Sequence, residues 1–225
     1  MSRNIVITGA AGALGTAVVG KFKREGYYVI ALVRPEANEQ ALEADVTYEV
    51  DVTDEDAVQE FVSEYESQFG DLEAIAMLVG GYASGDLMTT RQQDLTQQIQ
   101  LNFFSAFTVA TAFLPLVIKQ QRGALLFVGA RTALAPNEAK SAVAYALSKR
   151  LVNSLAEIIA AEVRDTDIRT HVFVPSILDS EVNRAAMPSA DFSKWVNPSD
   201  IAEAMHYAIN TPALTNMTFT LYGGI

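Results

Sequence analysis

Thr8-Gly9-Ala10-Ala11-Gly12-Ala13-Leu14-Gly15 is the stretch that decides the fold. It leaves a short apolar strand over 3–8 and opens a helix-forming run from Thr16 to Glu25, which Gly26 stops. Strand, glycine turn and helix in that order make a ready anion site, because the first amides of a helix have no partner inside it. In this reading Gly9 makes the tight turn, Gly12 and Ala13 leave room for a pyrophosphate, and Gly15 lets the helix approach the sheet. Ala11 and Leu14 complete the backbone of the dinucleotide-binding turn. Small residues here also permit a tight strand-to-helix crossing without a ligand, so the motif takes its weight from the chain around it.

That chain repeats the alternation. Tyr27 to Val33 is a second β-rich run, broken by Arg34-Pro35 and Asn38; Val46 to Val52 is a third, and Asp54 to Phe69 an amphipathic helix. Leu72 to Val79 is almost continuously apolar, as a strand covered on both faces must be, and ends at Gly80-Gly81. Helices over Leu95 to Leu114 and Val143 to Val163 alternate with strands at Ala124 to Val128 and Ile168 to Val174. A helix near Ser199 to Ile209 and a strand at Met217 to Tyr222 close the pattern. The expected fold is α/β: a single doubly wound Rossmann-type domain over 1–225, with a mostly parallel sheet of about seven strands and helices on both faces. A polar stretch near 178–197 reads as a substrate-side flap.

The 225 residues suffice for one continuous core, and 50% of them are hydrophobic, which argues against a disordered chain. Without cysteine there is no disulfide, thiol nucleophile, thiolate metal site or iron–sulfur cluster, so redox work requires a bound cofactor. Lys and Arg number 16 against 27 Asp and Glu, and the net charge of −11 argues against nucleic acid or a membrane as partner. Ile5-Val6-Ile7 has neither the layout of a signal peptide nor the length of a membrane span. A cytoplasmic protein acting on a small-molecule substrate is expected. His171 in a strand and His206 in a helix make no metal site, and no nucleophile elbow, Walker A or zincin motif is present.

The second strand ends in Leu32-Val33-Arg34-Pro35, where an acid commonly accepts the adenosine ribose hydroxyls. A guanidinium there can pair with a 2′-phosphate, so Arg34 favours NADP(H), with NAD(H) as the alternative cofactor. Arg34 is also readable as a solvated loop charge. Asp51 can accept from the adenine amino group while Val52 packs on the ring; the plain alternative is a helix cap beside Thr53 and Asp54.

Tyr145-Ala146-Leu147-Ser148-Lys149 puts a phenol and an ammonium four residues apart, on one face of the predicted helix. Tyrosine holds its proton near pH 7, and a cation beside it favours the phenolate, so the pair suits proton transfer with a carbonyl or alcohol. The lysine can also hold the nicotinamide ribose. The spacing alone arises by chance in many helices; its place after the glycine turn gives it meaning.

Together these motifs resemble the short-chain dehydrogenase/reductase family over nearly the whole chain. The match runs through Thr8, Gly9, Gly12 and Gly15 in TGxxGxxG spacing, with Ala13 where the commoner form has a glycine. The resemblance places Asn102, in Gln100-Leu101-Asn102-Phe103-Phe104, at the family's active-site asparagine, which interrupts helix geometry and organises a water relay toward the lysine. On residue type alone Asn102 is simply a polar helix position. For the family's serine, counting back from Tyr145 gives Thr132, whose hydroxyl would bond a substrate carbonyl, whereas counting from the strand gives Ala130 or Arg131. The family's Asn-Asn-Ala-Gly is Leu78-Val79-Gly80-Gly81 here, which loses both asparagines but keeps space beside the cofactor. Pro175-Ser176-Ile177-Leu178-Asp179-Ser180 resembles Pro-Gly-x-Val-x-Thr and implies that Pro175 and Ile177 face the nicotinamide, although a strand exit also explains the proline.

Gly80-Gly81-Tyr82 and the serine-less Val128-Gly129-Ala130 look like the dihydropteridine reductase branch, as does Met187-Pro188-Ser189-Ala190-Asp191-Phe192-Ser193-Lys194-Trp195. Phe192 and Trp195 would then wall the substrate, or else cover a core edge. The resemblance implies an NADP(H)-preferring reductase passing hydride to a small carbonyl or quinonoid ring compound, with Tyr145 as proton donor. It also implies a homodimer or homotetramer through the two long helices. The alternatives are a quinonoid dihydropteridine reductase using NAD(P)H and a catalytically weakened nucleotide-binding sensor or scaffold, the latter motivated by the altered serine and asparagine segments.

Overall fold

The computed structural model of the protein describes residues 3–35 and 42–224, so Asn38 lies outside the described residues. Strand β1 (Asn4–Thr8) is buried at every position, which is what two-sided covering demands of an uninterrupted apolar run. It pairs in parallel with β2 (Tyr28–Val33), which carries β3 (Val46–Glu49) on its far side. On the other side of β1 follow β4 (Leu72–Met77), β5 (Arg122–Val128), β6 (Asp167–Pro175) and β7 (Asn216–Leu221). All six pairings are parallel, and the order is β3-β2-β1-β4-β5-β6-β7. The winding therefore reverses between β1 and β4, and the crevice at their carboxyl ends is where open α/β sheets bind ligands.

Helix α1 (Ala13–Arg24) packs Val18, Val19 and Phe22 on one face of the sheet. The other face is covered by α2 (Glu55–Gln68), and Asp54 caps it by accepting from the amides of Asp56 and Ala57. The helix expected over Leu95–Leu114 is longer and broken: α3 (Gln92–Ile99), a π-helical turn at Gln100–Phe104, then α4 (Ser105–Gln120). By length and composition Gln92–Gln120 would suit a membrane span. Val109, Phe113 and Val117 nevertheless pack in the same core as Ile75 of β4 and Leu125 of β5, so sheet packing accounts for the apolarity.

Two short helices, α5 (Arg131–Leu134) and α6 (Pro136–Ala139), lead into α7 (Val143–Glu162), which joins the α2 and α4 side. Beyond β6 comes the flap: α8 (Glu181–Ala186), a 3-10 turn at Phe192–Lys194, and a parallel bridge from Leu178 to Val196. Helix α9 (Pro198–Ile209) then covers the α1 side through Ile201 and Met205. The third strand ends at Glu49, earlier than expected, which leaves Val50 to Val52 as the loop that carries Asp51.

Candidate active site

The glycine turn is built by contact. Gly9 has φ +65°, and a Cβ there would lie 3.1 Å from the Val79 side chain, so the turn needs glycine. A Cβ on Gly15 would fall 2.2 Å from the Gly9 carbonyl oxygen, a clash with backbone that fixes the close approach of α1. The Thr8 hydroxyl accepts from the Leu78 amide at 3.1 Å and ties the ends of β1 and β4 together. Ala11, Gly12 and Ala13 are exposed at the crevice, whereas the Leu14 side chain enters the core and leaves only its backbone to the turn. Gly12 caps α1 without a side-chain hydrogen bond, and the first turn carries no acid. Those amides suit a pyrophosphate.

Arg34 stands exposed where β2 ends. Asp51 is exposed too, but its Oδ1 accepts from both the amide and the hydroxyl of Thr53, at 2.9 and 2.7 Å. It organises the turn before α2, and Asp54, not Asp51, caps that helix. Val52 is buried.

Asn102 lies in the π-helical turn with 1% exposure. Its Oδ1 accepts from the Gly81 amide at 2.9 Å, and its Nδ2 donates to the Gly81 carbonyl at 3.0 Å, so the two residues clamp each other. The same Nδ2 reaches Gln98 Oε1 at 3.1 Å and Ser148 Oγ at 3.2 Å. Ser148 in turn donates to the carbonyl of Tyr145 at 2.8 Å, which links the clamp to α7. Lys149 is buried, and its ammonium donates to the Val128 carbonyl at 2.9 Å. A Cβ on Gly80 would sit 2.6 Å from Asn102 Oδ1 and 2.9 Å from Lys149 Nζ. Glycine is the residue that lets the β4 loop lie against both groups. Gln98 and Ser148 escaped the sequence reading; their one signal was spacing, with Gln98 four residues before Asn102 and Ser148 inside the Tyr–Lys pair.

The Tyr145 ring is half-buried and meets Tyr82 edge to face, with centroids 5.2 Å apart. The expected acidification by a neighbouring cation is not what the geometry yields. Burial pushes the phenol up to about 12, Tyr82 adds to the rise, and the Lys149 ammonium is engaged with Val128. Burial also lowers Lys149 to about 8. The phenol is thus a well-protonated acid at neutral pH, and the lysine a cation close to its titration point.

Ala130, buried and extended, occupies the exit of β5, while Thr132 sits one residue inside α5. The Thr132 hydroxyl oxygen is buried without a hydrogen-bond partner among the described residues. Pro175 is the last residue of β6 and is buried, and the Ile177 carbonyl accepts from the Val196 amide at 2.8 Å, which fastens the flap to the strand exit. Trp195 is 7% exposed and packs 4.7 Å from Phe192, whose ring is covered by Arg184.

The family described as short chain dehydrogenase matches residues 3–191. An uncharacterised oxidoreductase of Staphylococcus aureus strain N315 is 25% identical over 218 residues, 94% of this chain and 93% of that protein. A dihydropteridine reductase of Dictyostelium discoideum is 26% identical over 209 residues, 91% of this chain and 87% of that protein. Among solved structures, ElxO with NADP bound has a TM-score of 0.88 at 23% identity and covers 100% of this chain and 98% of its own. With the family pattern running from the first strand into the flap, this chain belongs to the short chain dehydrogenase family of oxidoreductases.

Proposed function

We propose that the protein is an NADP(H)-preferring reductase of a small carbonyl or quinonoid ring compound, with Tyr145 as the proton donor. The observation that carries it is the single hydrogen-bonded cluster in which Asn102 joins Gly81 to Ser148 of α7, beside the buried Lys149 and within one turn of Tyr145. The open amides of α1 would hold the pyrophosphate, Arg34 the 2′-phosphate, and Lys149 the ribose. The bound nicotinamide supplies hydride. The chain's own part is to fix geometry and give a proton: the raised phenol keeps its proton until a carbonyl oxygen gathers negative charge beside it. NADP in the ElxO structure supports the cofactor assignment, as does Arg34 directly after β2.

Replacing Tyr145 with Phe should lower kcat at least about a hundredfold, the usual worth of a positioned acid, while NADPH binding stays within about twofold. Unchanged turnover would reject the proton role. A narrower reading, quinonoid dihydropterin reduction, is supported by Gly80-Gly81-Tyr82 and by the Dictyostelium relative. Saturable NADPH binding without oxidation across ketones, quinones and quinonoid pterins would instead make the protein a nucleotide sensor or scaffold. The reading extends to a cytoplasmic homodimer or homotetramer. Its support is the set of exposed apolar side chains on the long helices, Phe104, Phe107, Leu147, Leu151 and Ile158. Light scattering at low micromolar concentration tests the oligomer.

A further inference from the structure

Tyr82 takes no part in the proton transfer described, yet it stands beside it. Its ring lies 5.2 Å from Tyr145 with the planes at 70°, and the residue is 64% exposed. An aromatic ring that serves packing buries most of its area, and this one does not. Whichever ring presents its edge, at least one face of Tyr82 stays clear of Tyr145.

The segment holding Tyr82 is fixed at both ends. Gly81 exchanges two hydrogen bonds with Asn102. Gly85 donates to the Ser141 carbonyl at 2.9 Å and accepts from the Val143 amide at 2.8 Å, at the start of α7 and two residues before Tyr145. Loop and acid therefore form one unit, and the free aromatic face is held in place before any ligand arrives.

The charges at this end of the sheet narrow what that face can take. Arg131, after β5, is ion-paired with Glu138 and lies 5.2 Å from the centre of the Tyr222 ring. Arg184, after β6, is held twice by Asp179, at 2.6 and 2.7 Å, and lies 4.9 Å over Phe192. Each of these two guanidiniums already has a carboxylate and an aromatic ring as partners, which leaves the aromatic face of Tyr82, rather than either arginine, as the recognition element beside Tyr145. Leu87, Met88 and Val182, all exposed, add apolar surface on the segments that follow β4 and β6.

We infer that Tyr82 is the residue by which the site reads its substrate: it stacks on a flat, conjugated carbonyl compound and holds the carbonyl toward Tyr145. This rests on the reductase reading and adds to it a substrate class and the side chain that selects it.

The test uses acetophenone, its saturated counterpart cyclohexyl methyl ketone, and pyruvate as a charged comparator. Binding to the protein with and without NADP⁺ is measured calorimetrically, and turnover with NADPH separately, for the native protein and for Tyr82→Ala, Tyr82→Leu and Tyr82→Phe. The ratio of acetophenone to cyclohexyl methyl ketone affinity should fall about fivefold to tenfold in the Ala and Leu variants, the worth of one aromatic pair, and return in the Phe variant. KM should carry the change, with kcat for acetophenone following less. Equal loss for both ketones, a ratio unchanged in the Ala and Leu variants, preferred binding of pyruvate, or no binding of acetophenone to the native protein overturns the inference. Tyr82-dependent binding of acetophenone without turnover of any panel member supports the role of Tyr82 and rejects the reductase reading.

Discussion

Burial takes the Lys149 ammonium down to about 8, so its charge is conditional in the range where the protein would work. Below about pH 8 the cation is present; above it the side chain of the free protein is neutral. A ligand that binds the charged form must then bring a proton with it. NADPH affinity should therefore be flat below pH 8 and fall by up to about tenfold per pH unit above it. A fluorescence titration from pH 7 to 9.5 reads this, and Lys149→Met should bind weakly with no such slope. A flat native curve would separate Lys149 from the cofactor. At Arg34 the contrast lies between cofactors. Arg34→Ala should weaken NADPH by about tenfold or more and NADH little, because only the former has a 2′-phosphate for a guanidinium to hold. Equal losses would sink that assignment. Both residues could be named from the sequence, since an arginine at a strand exit and a lysine four residues after a tyrosine are local facts. Neither the lysine's lowered basicity nor the tyrosine's raised one could be, because both come from what other segments exclude from water.

Within single elements, the π-helical turn shows the limit of reading periodicity. Apolar spacing over Leu95 to Leu114 announces a helix, and a helix is there, but nothing in that spacing marks where the i→i−4 ladder gives way at Gln100–Phe104. What makes the turn matter is its partner: Asn102 supplies both hydrogen bonds to Gly81, a residue of another loop. Asn102→Ala would leave the Gly81 amide and carbonyl without these partners and cost about 1–3 kcal/mol of stability. It should also raise hydrogen exchange at Gly81 and loosen the loop to Tyr82, with kcat falling further than the change in stability explains. Protection at Gly81 equal to that of the native protein would show that the loop holds itself. The glycine turn was legible because its reasons are local, Gly9 with its positive φ and Gly15 against the Gly9 carbonyl. For Thr132, distance from Tyr145 along the chain allowed a substrate-facing hydroxyl; the residue lies in α5, and its hydroxyl oxygen is buried without a hydrogen-bond partner among the described residues.

Across the whole molecule, a buried histidine couples pH to the fold. His171, in the middle of β6, has 0% exposure and no hydrogen-bond partner for either ring nitrogen among the described residues. Burial, reinforced by Arg169, lowers it to about 4. Between the ordinary value near 6.5 and about 4, the unfolded chain takes up a proton that the folded one refuses. Stability is therefore full above about pH 6.5 and declines as pH falls through that window, by roughly 3 kcal/mol in all. Urea unfolding at pH 7.5 and pH 4.5 should show the native protein losing more stability than His171→Met. Equal losses would mean that the strand opens to admit the proton.

The sequence by itself determined the alternation of strand and helix, the glycine turn between β1 and α1, and the Tyr145–Lys149 pair on one helical face. Each is a matter of periods and spacings over a few residues, and such information is written along the chain. The tertiary structure alone decided the strand order that sets β1 beside β4, and with it the meeting of Gly80 and Gly81 with Asn102 and Lys149. It alone decided that Tyr82 faces Tyr145. Those are contacts between segments far apart in the chain, and the acidities that follow depend on which segments exclude water from which groups, a property of packing that no local spacing contains.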